Sequence, residues 1–347
     1  MARKSFFLLF PIALLFLGLS LPSCFQKKQA GILRSDDGGE TWAFKVKIDE
    51  KNNISALSIL KIIFDPTDPQ TLYIGSQGKG MYVSHNNGDT WARTKITVGD
   101  VWDIAIDSND PKIIYASVFS AGSGRLYVTR DGGENWEMIF TDAIAGQPIY
   151  NVVIDWYNHN NIIITTGWGG ILKSEDQGKT WAKLSELTGK VGRLQVDEQD
   201  SRLMWYVTSI EGIFRSEDDG VTWTEIALEG LKPFPGASAI YQLERDRESN
   251  TFYLATNYGL LLSTDQGKTW TPIKTLTPFA SLPVIAVAVN PQNPKELFFV
   301  AGNTVFKSIN EAESWQVRAM YTGGVIRITK YNPANPNIIY LGLRIAK

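Results

Sequence analysis

An eight-residue pattern, Ser-x-Asp-x-Gly-x-Thr-Trp, recurs along the chain and constrains the fold more than any other feature. Successive tryptophans of the pattern lie 49, 45, 45, 42, 47 and 45 residues apart, so the copies divide the chain into units of similar length. Regular spacing of this kind predicts an architecture of repeated structural units. The acidic or amide residue and the Trp of the seven copies are Asp37 and Trp42, Asn86 and Trp91, Asp131 and Trp136, Asp176 and Trp181, Asp218 and Trp223, Asp265 and Trp270, and Asn310 and Trp315.

The chemistry of the repeated pattern is that of a tight turn. Its hydroxyl and its Asp or Asn side chain can accept hydrogen bonds from nearby backbone N–H groups, and its Gly suits a backbone with positive φ. The Trp then begins the next strand and packs beside it. A calcium-binding loop is the alternative, but each copy has too few carboxylates for that ion. The pattern therefore predicts structural hairpins rather than active sites.

A second pattern recurs in the units: a strand, a loop rich in Asp, Asn and Pro, and another strand. Residues 65–69 form such a loop before the strand-like run 72–75, and residues 332–336 form one before 338–343. Prolines at these points end strands and stay outside the hydrogen-bonded ladder. Each unit of about 45 residues thus supplies four short antiparallel strands, which is the content of one β-propeller blade.

The two ends of the chain complement each other. Residues 31–35 and 41–47 provide two strands before the first full unit, and residues 325–331 and 338–343 provide two after the last. Together they make one blade, which closes a ring and hides its edges. The sequence therefore predicts an all-β fold, a single seven-bladed β-propeller over residues 31–347. Its blades are four-stranded and antiparallel, and one of them takes two strands from each terminus.

The repeated octapeptide resembles the Asp-box, or BNR repeat, of sialidases, sortilin-type receptors, xyloglucanases and photosystem II assembly factors. The resemblance covers nearly all of the chain after Ala30 and implies a β-propeller. For function it implies two classes, protein-binding propellers and glycoside hydrolases. The chain departs from the photosystem II assembly factors in residues 72–76, which lack their Trp-x-Val-Gly pattern.

The first residues are typical of an export signal. Arg3 and Lys4 precede an apolar run over residues 6–19, which suits a signal better than a permanent spanning helix. The chain's one cysteine, Cys24, ends a Leu-Pro-Ser-Cys sequence that resembles the lipobox of bacterial lipoproteins. The resemblance implies a signal peptide over residues 1–23, then a lipidated Cys24 and a short tether over residues 24–30. The protein would be exported to the periplasm or cell surface, on the outer membrane where the cell has two. A plain secretory signal or an uncleaved anchor is the alternative.

Charge and composition argue against several functions. The net charge is −2 and the basic residues are dispersed along the sequence, which gives no basic stripe for nucleic acid. The two histidines, His85 and His159, lie in different turns and offer neither a metal cluster nor a catalytic triad. We therefore expect no metal or cofactor, no nucleic-acid partner, and a monomer.

Strand alternation predicts that the repeated turns and the Asp-Pro loops lie on one face of the ring, the bottom. The remaining loops then lie on the opposite face, the top, where we expect aromatic and polar side chains to bind a partner. An alternative is that half or more of the rings pack under their own loops and that the channel rim is merely solvated. The binding candidates are Trp102, Phe119, Tyr150, Trp168, Arg193, Phe234, Tyr241 and Tyr258.

Catalysis would need residues for which the sequence gives little sign. A glycosidase requires two carboxylates at a fixed separation, and the candidates here are Asp100 and Asp103. The Arg-Ile-Pro segment of sialidases is absent, and xyloglucanases use two propellers with one acid on each. We therefore expect a non-catalytic, membrane-anchored propeller that binds a protein partner, as a scaffold or assembly factor for an envelope or membrane complex. The alternative is a glycan-binding protein or a glycoside hydrolase related to sialidases or xyloglucanases.

Overall fold

A computed structural model describes residues 29–188, 191–246, 249 and 251–345. The predicted signal peptide, Cys24 and residues 25–28 of the tether lie outside the described residues. In chain order the strands are β1 (Ile32–Ser35), β2 (Ala43–Phe44), β3 (Ile59–Phe64), β4 (Leu72–Ser76), β5 (Gly80–Ser84), β6 (Ala92–Arg93), β7 (Asp100–Ile106), β8 (Ile114–Ser120), β9 (Ser123–Thr129), β10 (Glu137–Thr141), β11 (Ile149–Ile154), β12 (Ile162–Thr166), β13 (Gly170–Ser174), β14 (Ala182–Glu186), β15 (Gly192–Val196), β16 (Met204–Thr208), β17 (Ile213–Ser216), β18 (Thr224–Glu225), β19 (Ile240–Arg245), β20 (Phe252–Thr256), β21 (Leu260–Ser263), β22 (Thr271–Pro272), β23 (Val284–Val289), β24 (Leu297–Ala301), β25 (Thr304–Ser308), β26 (Gln316–Ala319), β27 (Gly324–Tyr331) and β28 (Ile339–Ile345). One short helix, α1 (Leu228–Leu231), lies between β18 and β19.

These strands form seven four-stranded antiparallel sheets, one for each blade. In blades 1 to 6 the order from the channel outwards follows the chain, beginning with β3 to β6 in blade 1 and ending with β23 to β26 in blade 6. Blade 7 has the order β27-β28-β1-β2, with Leu33 opposite Leu341 and Arg34 opposite Tyr340. The predicted seven-bladed propeller, closed by two strands from each terminus, is confirmed.

The core lies between neighbouring blades. The described residues contain seven apolar clusters, one at each junction between blades. Much of their surface comes from the second strand of each blade, and β4, β12, β16, β20 and β24 are buried at every residue. Trp205 in β16 is fully buried and meets Phe252 of blade 5 edge-to-face, with ring centroids 5.2 Å apart. Sheets packed on both faces in this way explain the near-continuous apolar runs of these strands.

The repeated turns close hairpins as the sequence predicts. In the first copy Ser35 Oγ accepts a hydrogen bond from the Gly39 N–H (2.7 Å), and Asp37 Oδ1 accepts one from the Thr41 N–H (2.8 Å). Hydrogen bonds from the Thr41 hydroxyl and N–H lower the pKa of Asp37 to about 2. Gly39 has a φ of 98°, and Ala312, which replaces this Gly in the last copy, keeps a φ of 68°. The last turn therefore holds its shape with a strained backbone.

Chain direction fixes the two faces. Each inner strand runs from the top to the bottom, where an Asp or Asn turn leads into the second strand. In blade 1 Asp65 Oδ1 caps that turn by accepting hydrogen bonds from two backbone N–H groups. The second strand returns to the top, so the loops that follow it and the loops between blades lie there. Both ends of the described chain also reach the top, because Gln29 O accepts a hydrogen bond from the Gly323 N–H (3.0 Å) and β28 ends there at Ile345. No helix among the described residues has the length and apolar character needed to cross a membrane.

Candidate functional site

Bulges near the starts of the inner strands shape the channel that opens on the top face. Six of the seven inner strands shift register there, which leaves one residue of each without a pairing partner. A bulge of this kind turns its extra side chain out of the regular alternation. The six bulge residues all line one cavity of about 470 Å³, and they are Leu60, Trp102, Tyr150, Tyr241, Ile285 and Arg327.

Four of the predicted binding residues meet at this channel mouth. Trp102, Tyr150 and Tyr241 are bulge residues, and Arg193 lies near the start of the regular strand β15. The rings of Trp102 and Tyr150 meet edge-to-face, with centroids 5.0 Å apart and planes at 69°. The Tyr241 hydroxyl donates a hydrogen bond to Asn257 Oδ1 (2.9 Å). The mouth is thus walled by aromatic rings that contact each other or their own blade.

In blades 2 and 3 the residue after the bulge joins neighbouring blades. Asp103 is only 1% exposed, and its Oδ1 forms an ion pair with Lys61 Nζ of blade 1 (2.5 Å). Its Oδ2 accepts hydrogen bonds from Asn151 Nδ2 and from the Val152 N–H (3.1 Å), both in blade 3. Asn151 Oδ1 in turn accepts a hydrogen bond from the Leu194 N–H (2.8 Å) of blade 4. This chain of contacts ties four inner strands together.

Two glutamines continue the chain of contacts around the ring. Gln195 Nε2 donates a hydrogen bond to Leu243 O of blade 5 (2.8 Å). Gln242 then bonds both backbone groups of Val287 in blade 6, donating to its O (2.9 Å) and accepting from its N–H (3.2 Å). Inner strands of six blades are therefore linked by side chains that sit immediately below the channel mouth.

The structure separates the two carboxylates named as catalytic candidates. Asp103 is held by donors from three blades, so its oxygens are engaged within the protein. Asp100 lies half-buried at the start of β7. The histidines also have partners, since His159 Nδ1 lies 2.6 Å from Asp107 Oδ1 and His85 Nδ1 lies 3.0 Å from Thr71 Oγ1. The described part of the chain has no group of three or more His, Cys, Asp or Glu placed to hold a metal ion.

Positive charge gathers at the channel although the basic residues are spread along the sequence. Burial lowers the pKa of Arg344, and the charges of Arg193 and Arg327 lower it further. All three arginines line the cavity. Burial likewise lowers the pKa of Lys61, against the attraction of Asp103. The sequence did not single out Arg327 or Arg344. Arg327 is the bulge residue of its inner strand, as Trp102 and Tyr150 are of theirs. An alignment of the inner strands on that position would have grouped the three residues.

The other predicted binding residues lie away from the channel. Phe234, Tyr258 and Phe279 form an aromatic stack above blade 5, with centroid separations of 5.2 and 4.9 Å. Phe279 was not predicted. Trp168 is exposed in the loop between β12 and β13, and Phe119 is half-buried near the end of β8. The predicted residues therefore form two separate groups and two isolated rings.

Exposed apolar side chains are concentrated on the top face. Of the seventeen large apolar side chains exposed in the described residues, eleven belong to top loops or strand ends at the top. We call ten of them the apolar rim, of which Val191 also lines the channel cavity. The eleventh, Tyr241, is one of the channel bulge residues. The apolar rim consists of Val98, Ile144, Trp168, Val191, Ile210, Leu228, Leu276, Phe279, Tyr321 and Ile345.

Comparison with known families agrees with the repeat and the fold. The family model of sortilin (neurotensin receptor 3) matches residues 30–147, and the model of the BNR/Asp-box repeat matches residues 261–272. The matched Asp-box coincides with the turn that ends in Trp270. The chain is an Asp-box β-propeller.

Relatives of this Asp-box propeller include xyloglucanases. The xyloglucanase Xgh74A of Acetivibrio thermocellus is 29% identical over 143 residues, which is 34% of this chain and 16% of that enzyme. The oligoxyloglucan-reducing end-specific xyloglucanase of Emericella nidulans is 29% identical over 129 residues, 33% of this chain and 14% of that enzyme. The matched segments are thus a small part of both enzymes.

Solved structures resemble the propeller over most of its length. The GH74 xyloglucanase from Xanthomonas campestris has a TM-score of 0.68 and 15% identity, and the match covers 83% of this chain and 51% of that one. A structure of YCF48 bound to the D1 peptide has a TM-score of 0.65 and 14% identity, covering 87% of this chain and 98% of that one. YCF48 from Cyanidioschyzon merolae has a TM-score of 0.63 at 12% identity, with coverages of 83% and 96%. At these identities the likeness is one of fold.

Proposed function

We propose that this chain is a non-catalytic, membrane-anchored propeller that binds a protein partner through its top face. In that role it acts as a scaffold or assembly factor for an envelope or membrane complex. The observation that carries the proposal is the apolar rim, which places most of the exposed large apolar side chains on one face. Exposed apolar side chains, aromatic ones among them, gathered on one face are typical of protein interaction sites.

The state of Asp103 supports a role without catalysis. A general acid or nucleophile must reach the substrate. This carboxylate is instead buried, forms an ion pair with one neighbouring blade and accepts hydrogen bonds from the other. A structural neighbour, YCF48, has been solved with a bound D1 peptide, which also supports a peptide or protein ligand. That neighbour and this chain match over nearly the whole of YCF48.

The position of Gln29 bears on the proposed anchor. Gln29 lies five positions after Cys24, so the chain between a lipid on Cys24 and Gln29 spans at most about 18 Å when extended. Because Gln29 lies at the top of blade 7, the top face would then stay close to the bilayer of an exported lipoprotein. Inserting thirty Gly/Ser residues after Cys24 should impair binding of the proposed membrane partner while leaving the propeller folded. Undiminished binding of that partner would contradict this placement.

Site-specific photo-crosslinking in membranes tests the protein partner. A photoreactive residue at Trp168 or Leu276 on the apolar rim should capture a discrete membrane-associated protein. The matched control is a photoreactive residue at Val221, which is exposed in a bottom turn. It should not capture any protein at a comparable yield. Equal capture from both faces, or none from the rim, would refute top-face protein binding.

Glycoside hydrolysis is the second candidate, and the xyloglucanase relatives are the reason to consider it. If the chain is a hydrolase, incubation of the full chain with xyloglucan should release oligosaccharides, and Asp100→Asn should abolish the release. If the chain is a scaffold, as we propose, the parent chain should release none. Turnover that depends on Asp100 would favour the hydrolase over the scaffold.

A further inference from the structure

Within the described residues, the channel mouth carries more positive than negative charge, although the chain as a whole has a net charge of −2. Lys61 is paired with Asp103, and Lys330 Nζ lies 3.7 Å from Glu244 Oε2. Arg193, Arg327 and Arg344 also line the cavity, and none of them forms a side-chain hydrogen bond or ion pair with another residue of the described ranges.

Asp100 partly offsets the charge at Arg344. It raises the pKa of Arg344, against the larger effects of burial, Arg193 and Arg327. Among the described residues that line the cavity the one acid is Glu244, which already pairs with Lys330. Like charges held together repel, and confinement between protein walls increases that repulsion. An anion bound among the three arginines would remove it.

Three residues that line the same cavity carry buried polar atoms without partners. Within the described residues, Trp102 Nε1, Thr329 Oγ1 and Arg344 Nε are buried and have no hydrogen-bond partner, and all three residues line the channel mouth. A buried donor that finds no acceptor destabilises a protein by about 1–3 kcal/mol. Indole and guanidinium N–H groups can only donate. The group that would satisfy them must be an acceptor.

We infer that the channel mouth is a binding site for a small oxyanion, a carboxylate or phosphate group. Such a group accepts several hydrogen bonds at once and carries the charge that the three arginines lack. The cavity of about 470 Å³ is larger than one such group. The edge-to-face pair of Trp102 and Tyr150 therefore leaves room for the body of the ligand beside the rings. The inference is independent of the proposed protein partner, because it rests on the channel and not on the apolar rim.

Isothermal titration of the full chain in detergent tests the site. The probes are inorganic phosphate, citrate and, as a neutral control, glucose. Phosphate or citrate should bind saturably, with an affinity that falls as salt is raised, and glucose should not. A preference for citrate identifies a carboxylate site, and a preference for phosphate identifies a phosphate site. Absence of binding by both anions at about 10 mM would overturn the inference.

Variants separate this site from nonspecific attraction. Arg327→Gln and Arg344→Gln should each weaken anion binding about tenfold, and Arg327 is exposed, so its variant should fold normally. Trp102→Phe keeps the ring, removes the N–H and should weaken binding about threefold to tenfold. Arg130→Gln removes the same charge from a bottom turn and should leave binding unchanged. Equal affinity in Arg130→Gln and both channel arginine variants would refute the site.

The anion site and the protein-binding role can fail separately. If the anions bind and the rim captures no protein, the channel site stands without the scaffold role. If the rim captures a partner and Arg327→Gln leaves both anion binding and partner capture intact, the oxyanion site is wrong while protein binding holds.

Discussion

Replacing Asp103 by Asn should destabilise the propeller rather than impair chemistry at its surface. The carboxylate is 1% exposed and is the common acceptor for Lys61 of blade 1 and for Asn151 and the Val152 N–H of blade 3. An Asn side chain has a single acceptor oxygen, so its NH2 group would face another donor. The substitution also leaves the Lys61 ammonium without its carboxylate.

The expected loss follows from these contacts. Removing one partner of a buried ion pair destabilises a protein by about 3–5 kcal/mol. The Lys61 side chain is 25% exposed, so it can turn towards water in the channel and the lower value applies. A domain of this size loses about 2 °C in Tm per kcal/mol, which predicts a drop of about 6 °C for Asp103→Asn.

Thermal unfolding followed by circular dichroism measures this change. Asp100→Asn, three residues away and half-buried, is the matched control and should stay within about 0.5 kcal/mol of the parent. The double variant with Lys61→Met should lose less than the sum of the two single variants, by about 1–2 kcal/mol. A Tm for Asp103→Asn within about 1 °C of the parent would mean almost no loss in the free energy of unfolding. In that case Asp103 does not hold the blades together.

Three further changes test the fold. Gly80 and Gly122 share a φ of +74°, but a Cβ on Gly80 would lie 2.1 Å from Ile96 O, whereas one on Gly122 would meet nothing within 4 Å. In denaturant unfolding, Gly122→Ala should lower the free energy of unfolding by about 1 kcal/mol, from backbone strain alone. Gly80→Ala should lower it by at least about 2 kcal/mol more, because of the clash. Leu341 of β28 is fully buried, and Leu341→Ala should lose about 3 kcal/mol. Leu276→Ala on the apolar rim should instead change stability by less than about 0.5 kcal/mol. The pKa values of Asp131, Asp176 and Asp218 are lowered to about 2 by hydrogen bonds within their turns. Because the folded-state pKa lies below the ordinary value, their stabilisation is present above about pH 4 and is lost as pH falls towards 2; Tm measured from pH 5 to pH 2 should fall less steeply in the triple Asn variant, and parallel curves would contradict this origin.

The fold was predictable because its information is local and repeated. Each turn encodes its own hydrogen bonds, as between Asp37 and Thr41, and seven copies at similar spacing fix the number of blades. The closure blade followed from counting strands at the two ends, and β1 pairs with β28 as expected. Even the degraded last turn keeps the backbone form of the others, since Ala312 adopts the positive φ of the missing Gly.

The channel mouth was only partly predictable because bulges shift it by one residue. The sequence offered Asp103 as a catalytic candidate, whereas the bulge turns Trp102 into the channel and leaves Asp103 between blades. No local pattern marks these bulges in the sequence. The clustering of Arg193 with Arg327 and Arg344 was also hidden, because Arg193 lies more than a hundred positions before the other two and comes near them only when the ring closes.

The bulges divide two tasks between adjacent residues. In blades 2 and 3 the bulge residues Trp102 and Tyr150 face the cavity, while Asp103 and Asn151 bond neighbouring inner strands. Substitutions at the first position therefore change what the channel can bind and leave the links between blades intact. Substitutions at the second change the stability of the ring and leave the cavity wall in place. A ligand site built on this plan can vary without loss of the fold.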